Sequence, residues 1–197
     1  MIFKDRDATN PWRCYHRQLD AGAGTNEIYL NTTAATGASA TAWNDTGPTS
    51  SVFSLGTGGY ANTNTNNYIA YLFAPKQGFS KFGSYTGNGN VDGTFVYTGF
   101  RPAFLMIKQY DAAGTDWTIL DNKRPAENPA DQWLAPNTNA AEVANDTTAL
   151  SADLLSNGFK LRGSASDGTN GSSDDFIYMA FAEAPFVNSN GVPCNAR

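Results

Sequence analysis

His16 is the chain's only histidine, so any Ser/His/Asp arrangement would have to use it. It stands between Tyr15 and Arg17 in WRCYHR, a stretch with strand character, and no GxSxG elbow occurs in the chain. A structural or surface role is expected for it. The two cysteines, Cys14 and Cys194, lie near opposite ends of the sequence. They are too few for a disulfide framework and are expected as free thiols, with Cys14 buried. One His, two distant Cys and the absence of CxxC or HExxH spacing argue against a zinc site.

Carboxylates at Asp116, Asp121, Glu127, Asp131 and Glu142 offer the residue types of a glycosidase pair. Any chain with 18 acidic residues contains such pairs, so they single out nothing and no catalytic residue is assigned. The segment SASDGTNGSSDD, with Asp167, Asp174 and Asp175, has the oxygen-rich composition of a calcium loop but lacks EF-hand spacing. A solvated hairpin loop is expected for Asp167–Asp175, with no metal ligand and no cofactor. GNGNVDG lacks the Lys-Ser/Thr end of a phosphate loop and reads as a turn. A saccharide-stacking surface would expose one aromatic such as Tyr60, Tyr85 or Trp133 beside polar loop residues; binding residues are unassigned.

A net charge of −5 with no Lys/Arg run removes the electrostatic footprint of nucleic-acid binding. The N-terminus, MIFKDRDATN, carries charges where a signal peptide needs an apolar run, and no segment approaches the roughly 18 apolar residues of a membrane span. Neither secretion by the ordinary route nor membrane insertion is expected.

The elements that would position these residues are strands. Pro, Gly, Asn, Asp and Ser clusters interrupt the chain about every ten residues, and no segment keeps a helical apolar period over helix length. DFIYMAFAE and NYIAYLFAP alternate with period two, and AFLMIKQY is apolar on both phases at its start, as a strand covered on both faces would be. Further strands are expected at 84–86, 94–98, 116–121, 131–136 and 158–163, with one short helix or helical turn within 139–155. This pattern predicts an all-β fold of antiparallel sandwich type, jelly-roll or lectin-like.

NTTAA, from Asn31, reappears as NTNAA, from Asn137, and the flanks keep register. Lys4 falls on Lys108 at an offset of 104, Trp12 on Trp117 at 105, Phe53 and Leu55 on Phe159 and Leu161 at 106, and Ile69 and Phe73 on Ile177 and Phe181 at 108. The drift is small and falls in loop-like stretches, which marks an internal repeat of about 106 residues, the size of a small domain. Two tandem sandwich modules are expected, at 1–82 and 83–197. The first lacks its N-terminal strands, since GSYTGNGNVDGTFVYTGFRP (Gly83–Pro102) has no earlier counterpart. Trp12 and Trp117, at matched positions, are expected in the cores. An incomplete first module would leave an open sheet edge, which a neighbouring chain is expected to cover.

The blocks GSYTGNGNVDGTFVYTGFRPAFLMIK, DWTILDNKR, WLAPNTNAAE, LLSNGFKLR and DFIYMAFAE resemble a repeat domain of tail-fibre-like virion structural proteins of tailed, notably marine, bacteriophages. WRCYHRQL, IYLNTTAA and NYIAYLFA resemble the preceding repeat in such proteins. The resemblance implies a virion location, tandem β-rich modules and no enzymatic activity. Expected roles are those of a tail fibre, tail tip or capsid decoration working in host attachment or subunit assembly. Expected partners are other virion subunits, a host-surface glycan, and further copies of the chain, a trimer being favoured. The alternatives are a free carbohydrate-binding, lectin-like module and a tail enzyme that depolymerises host polysaccharide.

Overall fold

Short extended runs between turn residues pair into antiparallel ladders throughout the molecule. The computed structural model describes residues 1–125, 127–144, 150–164 and 168–184. Among them are thirteen strands and a single 3-10 turn at Arg17–Leu19, so the protein is all-β with several antiparallel sheets. The chain divides into two compact units: Met1–Phe73 with Tyr110–Gly114, and Ala74–Gln109 with Thr115–Arg197.

The first unit contains β1 (Ile2–Asp5), β2 (Arg13–Cys14), β3 (Asn26–Tyr29), β4 (Gly37–Ala38) and β5 (Tyr68–Tyr71), in one sheet of order β4-β3-β2-β1-β5. Residues 39–67, which carry no strand, supply the cover for its core face. Trp43 is the centre of that core, edge-on to Phe3 at 6.3 Å and to Tyr15 at 6.0 Å, with Ala42, Ala61, Phe53 and Leu55 packed around it. The covering coil lies close to its own turns: a Cβ on Gly56 would sit 2.2 Å from the Thr41 carbonyl oxygen, so only glycine fits there. A two-sheet sandwich was expected here, and the unit instead has one sheet faced by coil.

The second unit contains β6 (Ser80–Thr86), β7 (Phe95–Tyr97), β8 (Pro102–Gln109), β9 (Thr118–Asp121), β10 (Trp133–Leu134), β11 (Ala152–Leu155), β12 (Gly158–Leu161) and β13 (Asp175–Ala182). Its larger sheet runs β10-β9-β8-β13-β6 and its smaller one β11-β12-β7. Alternation along β13 sends Phe176, Tyr178 and Ala180 into a core shared with Leu154, Phe159 and Leu161 of the smaller sheet and Leu105 and Ile107 of β8. β8 is also buried on its other phase, at Met106 and Lys108, as its doubly apolar sequence requires. Phe159 meets Tyr178 edge to face at 5.3 Å and Tyr85 at 6.0 Å.

Two local expectations are corrected. His16 lies outside any strand, as the cap of the Arg17–Leu19 turn. Within the stretch read as helical, Ala152–Leu155 is a strand, because Leu154 and Ala152 face the core while Asp153 and Leu155 alternate with them at the half-buried positions. The rest of that stretch at 145–149, the 165–167 portion of the acidic loop, and Cys194 fall outside the described residues.

Phe159 is fully buried between the two sheets of the second unit. Phe159→Ala is expected to cost that unit about 3–5 kcal/mol, read as a lowered midpoint of its denaturant transition.

Candidate functional site

The side chains with reactive chemistry are tied into scaffold contacts. His16 Nδ1 accepts a hydrogen bond from the Gln18 amide at 3.2 Å. Cys14 is buried on β2, and burial pushes its thiol up to about 12, so it stays protonated and unreactive. Asp121 and Glu142 both engage Arg124, each with an oxygen 3.2 Å from its Nε, and Asp116 accepts from the Asn137 amide at 2.6 Å. Among the described residues, no side-chain hydrogen bond or ion pair joins Glu127 or Asp131 to this group. Among the described residues no cluster of three or more His, Cys, Asp or Glu is placed to hold a metal ion.

The GNGNVDG loop folds around a buried amide. Asn170 donates to Asn88 Oδ1 at 3.0 Å and to the Asn90 and Gly163 carbonyls at 2.9 Å, while its own oxygen accepts from the Asn88 amide at 3.1 Å. Asp92, at the end of the loop, pairs with Lys160 at 2.5 Å, and this lowers its carboxyl pKa. The loop amides are therefore engaged within the protein: Asn88 donates to the Asn170 side chain, Gly89 to the Asn170 carbonyl, Asn90 to Asn88 Oδ1 and Asp92 to Asn90 Oδ1.

The three aromatics named for saccharide stacking separate. Tyr85 is buried, stacked on Phe176 at 5.1 Å, and donates its hydroxyl to the Thr169 carbonyl at 2.6 Å. Trp133 is half-buried against the core of the second unit. Tyr60 is 54% exposed, in a loop with Asn62 and Thr63, and its ring lies 4.8 Å from the Arg13 guanidinium.

Beneath Tyr60 is a polar centre. Arg13 on β2 and Glu27 on β3 form a buried ion pair, and Tyr29, opposite Arg13 in the ladder, donates its hydroxyl to Glu27 at 2.8 Å. Burial pulls the Arg13 pKa below the ordinary arginine value, against the favourable influence of Tyr29 and Tyr60. Two charges inside strands and 14 residues apart gave no spacing signal in the sequence; only their shared core-facing phase links them.

The remaining feature is an edge. β5 pairs with β1 on one side, from Ile2 opposite Tyr71 to Asp5 opposite Tyr68, and is the end of its sheet among the described residues. Its side chains are largely exposed: Ile69, Ala70 and Tyr71 in the strand and Leu72 just beyond it. Near its start, Asp5 accepts from Asn10, Asn66 and the Asp7 amide, each at 2.9 Å, and so fixes both covering loops.

Residues 1–185 match a family described as a domain of unknown function, DUF7483. The chain belongs to that family. No curated protein and no solved structure matches this DUF7483 chain. The family match covers residues of both compact units.

Two outcomes are expected. Arg13→Ala leaves Glu27 buried without its cation and is expected to cost about 3–5 kcal/mol, whereas Arg13→Met combined with Glu27→Leu should recover most of it; chemical denaturation of the three proteins measures both. Burial alone would raise the Asp5 carboxyl, but the bonds from Asn66, the Asp7 amide and Asn10 outweigh it and hold its pKa below the ordinary 3.8. Stability contributed by the ionised form is thus complete above that ordinary value and lost as pH falls through it toward the lowered one. Asp5→Asn should be less stable at neutral pH and lose less on going from about pH 5 to about pH 3, followed by thermal melts.

Proposed function

We propose that this DUF7483 protein is a non-enzymatic structural component of a bacteriophage virion, a tail-fibre, tail-tip or capsid-decorating subunit, and that it is built from one β unit used twice. The function follows from the resemblance of its sequence blocks to virion repeat domains. The two-copy construction rests on one observation, the shared ladder register of the two larger sheets.

In the first sheet Lys4 stands opposite Ile69, Phe3 opposite Ala70 and Ile2 opposite Tyr71. In the second, Lys108 stands opposite Ile177, Ile107 opposite Tyr178 and Met106 opposite Met179, the same pairs at the offsets read from sequence. The next ladders agree as well: Ile2 with Cys14 and Cys14 with Ile28 correspond to Met106 with Ile119 and Ile119 with Leu134. Side chains repeat too. The Trp12 amide donates to Asn31 Oδ1 at 2.9 Å and the Trp117 amide to Asn137 Oδ1 at 3.0 Å. Lys4 and Lys108 each donate to a carbonyl of the loop after their strand, Ala8 at 2.8 Å and Thr115 at 2.9 Å.

A unit used in tandem, with its reactive groups spent on internal bonds, suits assembly better than turnover. Trapping of His16, Asp121 and Glu142 in capping and tethering roles supports the non-enzymatic reading. A second reading, a carbohydrate-binding module, is favoured by Tyr60, whose exposed ring beside Asn62 and Thr63 is the arrangement that stacks on a sugar.

Immunogold labelling of purified particles with antibody to the chain is expected to decorate the virion; a chain found only free in lysate overturns the virion assignment. Saturable retention on a glycan array, lost in Tyr60→Ala, would instead favour the second reading. For the two-copy construction, Asn31→Ala and Asn137→Ala are each expected to cost about 1 kcal/mol by loss of equivalent bonds, measured by denaturation.

A further inference from the structure

We infer that the free side of β5 is an acceptor for an extended segment from outside these 197 residues, one with the chemistry of Ser80–Thr86, bound antiparallel and in a single register. The inference rests on the two-copy construction and is independent of where the protein resides.

The counterpart of β5 in the second unit is β13, and β13 is paired on both sides. β8 lies on one side and β6 on the other, with Tyr85 opposite Phe176, Gly83 opposite Tyr178 and Lys81 opposite Ala180. At the same offsets Tyr68 corresponds to Phe176, Ala70 to Tyr178 and Leu72 to Ala180. The first unit holds a strand equivalent to β8, namely β1, and none equivalent to β6.

Backbone phase agrees with this vacancy of partners. The Arg6 amide donates to the Asn67 carbonyl at 2.8 Å, so in this antiparallel ladder the residues that exchange bonds with β1 are Asn67, Ile69 and Tyr71. Tyr68, Ala70 and Leu72 therefore turn their peptide groups to the open side. In the second unit the Gly87 amide donates to Asp174 at 2.9 Å and the Ala182 amide to Phe79 at 2.8 Å, which assigns Phe176, Tyr178 and Ala180 to the bonds with β6. The outward set is the same in both units.

The core face is open at the same place. Ala70 lies opposite the buried Phe3 and so faces the core, yet it is exposed, and Leu72 is 57% exposed. Their counterparts Tyr178 and Ala180 are 3% and 0% exposed, covered in part by Tyr85. The missing cover extends further: β12 in the second unit pairs with β7, which follows β6 by one loop, whereas Val52–Leu55, the counterpart of β12, forms no strand. One absent segment, the β6-loop-β7 block, accounts for the bare edge, the exposed core positions and the lack of a second sheet.

That comparison sets the occupant's chemistry. It needs free amides for the outward peptide groups and an aromatic opposite Tyr68 directed into the core, as Tyr85 is opposite Phe176. A second copy of this chain is a poor donor of such a segment, since its own Ser80–Thr86 is held along the full length of β13.

The test uses the full chain and a fluorescent peptide spanning Ser80 to Gly99, with a scrambled peptide as control. Saturable binding of the native peptide alone is expected, with amide hydrogen exchange slowed at least tenfold at Tyr68, Ala70 and Leu72. Ala70→Pro removes an outward amide and spares the bonds to β1, so it should abolish binding; Leu72→Lys, at an exposed position, should weaken it at least tenfold without altering the fold. The inference is overturned by no binding, by protection confined to β13, by binding indifferent to both variants, or by outward amides already protected in a β5-to-β5 dimer. Failure here alongside matched losses in Asn31→Ala and Asn137→Ala leaves the two-copy construction standing; unmatched losses there fail the construction itself.

Discussion

A β-strand offers hydrogen-bonding groups on two sides, and a sheet is complete only when both rows are met. Placement of β13 between β8 and β6 meets both, and the rest of the second unit follows from it: a flat run of core-facing aromatics, a second sheet that packs on them, and near-complete exclusion of water from Phe159, Phe176 and Tyr178. β5 meets only one row. Everything that distinguishes the first unit, from the exposed Ala70 and Leu72 to the coil that covers its sheet, is consistent with that single unmet row.

The strands with long alternation were legible in the sequence because period two and burial coincide. DFIYMAFAE and GFKLRG became β13 and β12 for that reason, whereas AFLMIKQY became β8 as a run apolar on both phases and covered on both faces. β2, β4 and β10 are two residues each, too short for any period, and their existence is decided by the neighbours they pair with. Ala152–Leu155 sits in a segment of Ala and Leu whose local preference is helical; the ladder with Gly158–Leu161 overrides it. The likeness of NTTAA to NTNAA has a counterpart in hydrogen bonding, since Asn31 and Asn137 each accept from a tryptophan amide, those of Trp12 and Trp117.

The polar centres were not legible. Asp5 gathers Asn10 and Asn66, the latter 61 residues away, and Arg13 meets Glu27 across a ladder whose register no local pattern specifies. Trp43, the hub of the first core, stands in WNDTG, a stretch with every mark of a surface loop. It is buried because coil, rather than a strand, must fill the space above the sheet. Of the aromatics set apart for binding, only the accessibility of Tyr60 depended on nothing the sequence displays.

The distribution of buried charge has a physical logic under the two-copy construction. Where the second unit has Gln109, Thr118 and Trp133, the first has Asp5, Arg13 and Glu27, three ionisable groups at buried positions. A sheet covered by another sheet satisfies the cover's backbone through its own ladder, and apolar side chains suffice between them. A sheet covered by coil gains no such ladder, so the coil must be anchored from below by side chains with several acceptors or donors. Asp5 does this for the loops at Asp7–Asn10 and Asn66, and Arg13 does it for the loop bearing Tyr60. Because such anchors are buried, loss of a single partner leaves an uncompensated polar or charged group inside the first unit. Under the two-copy construction the polar core and the open edge go together, since among the described residues β13 has a partner strand on both sides and β5 on one.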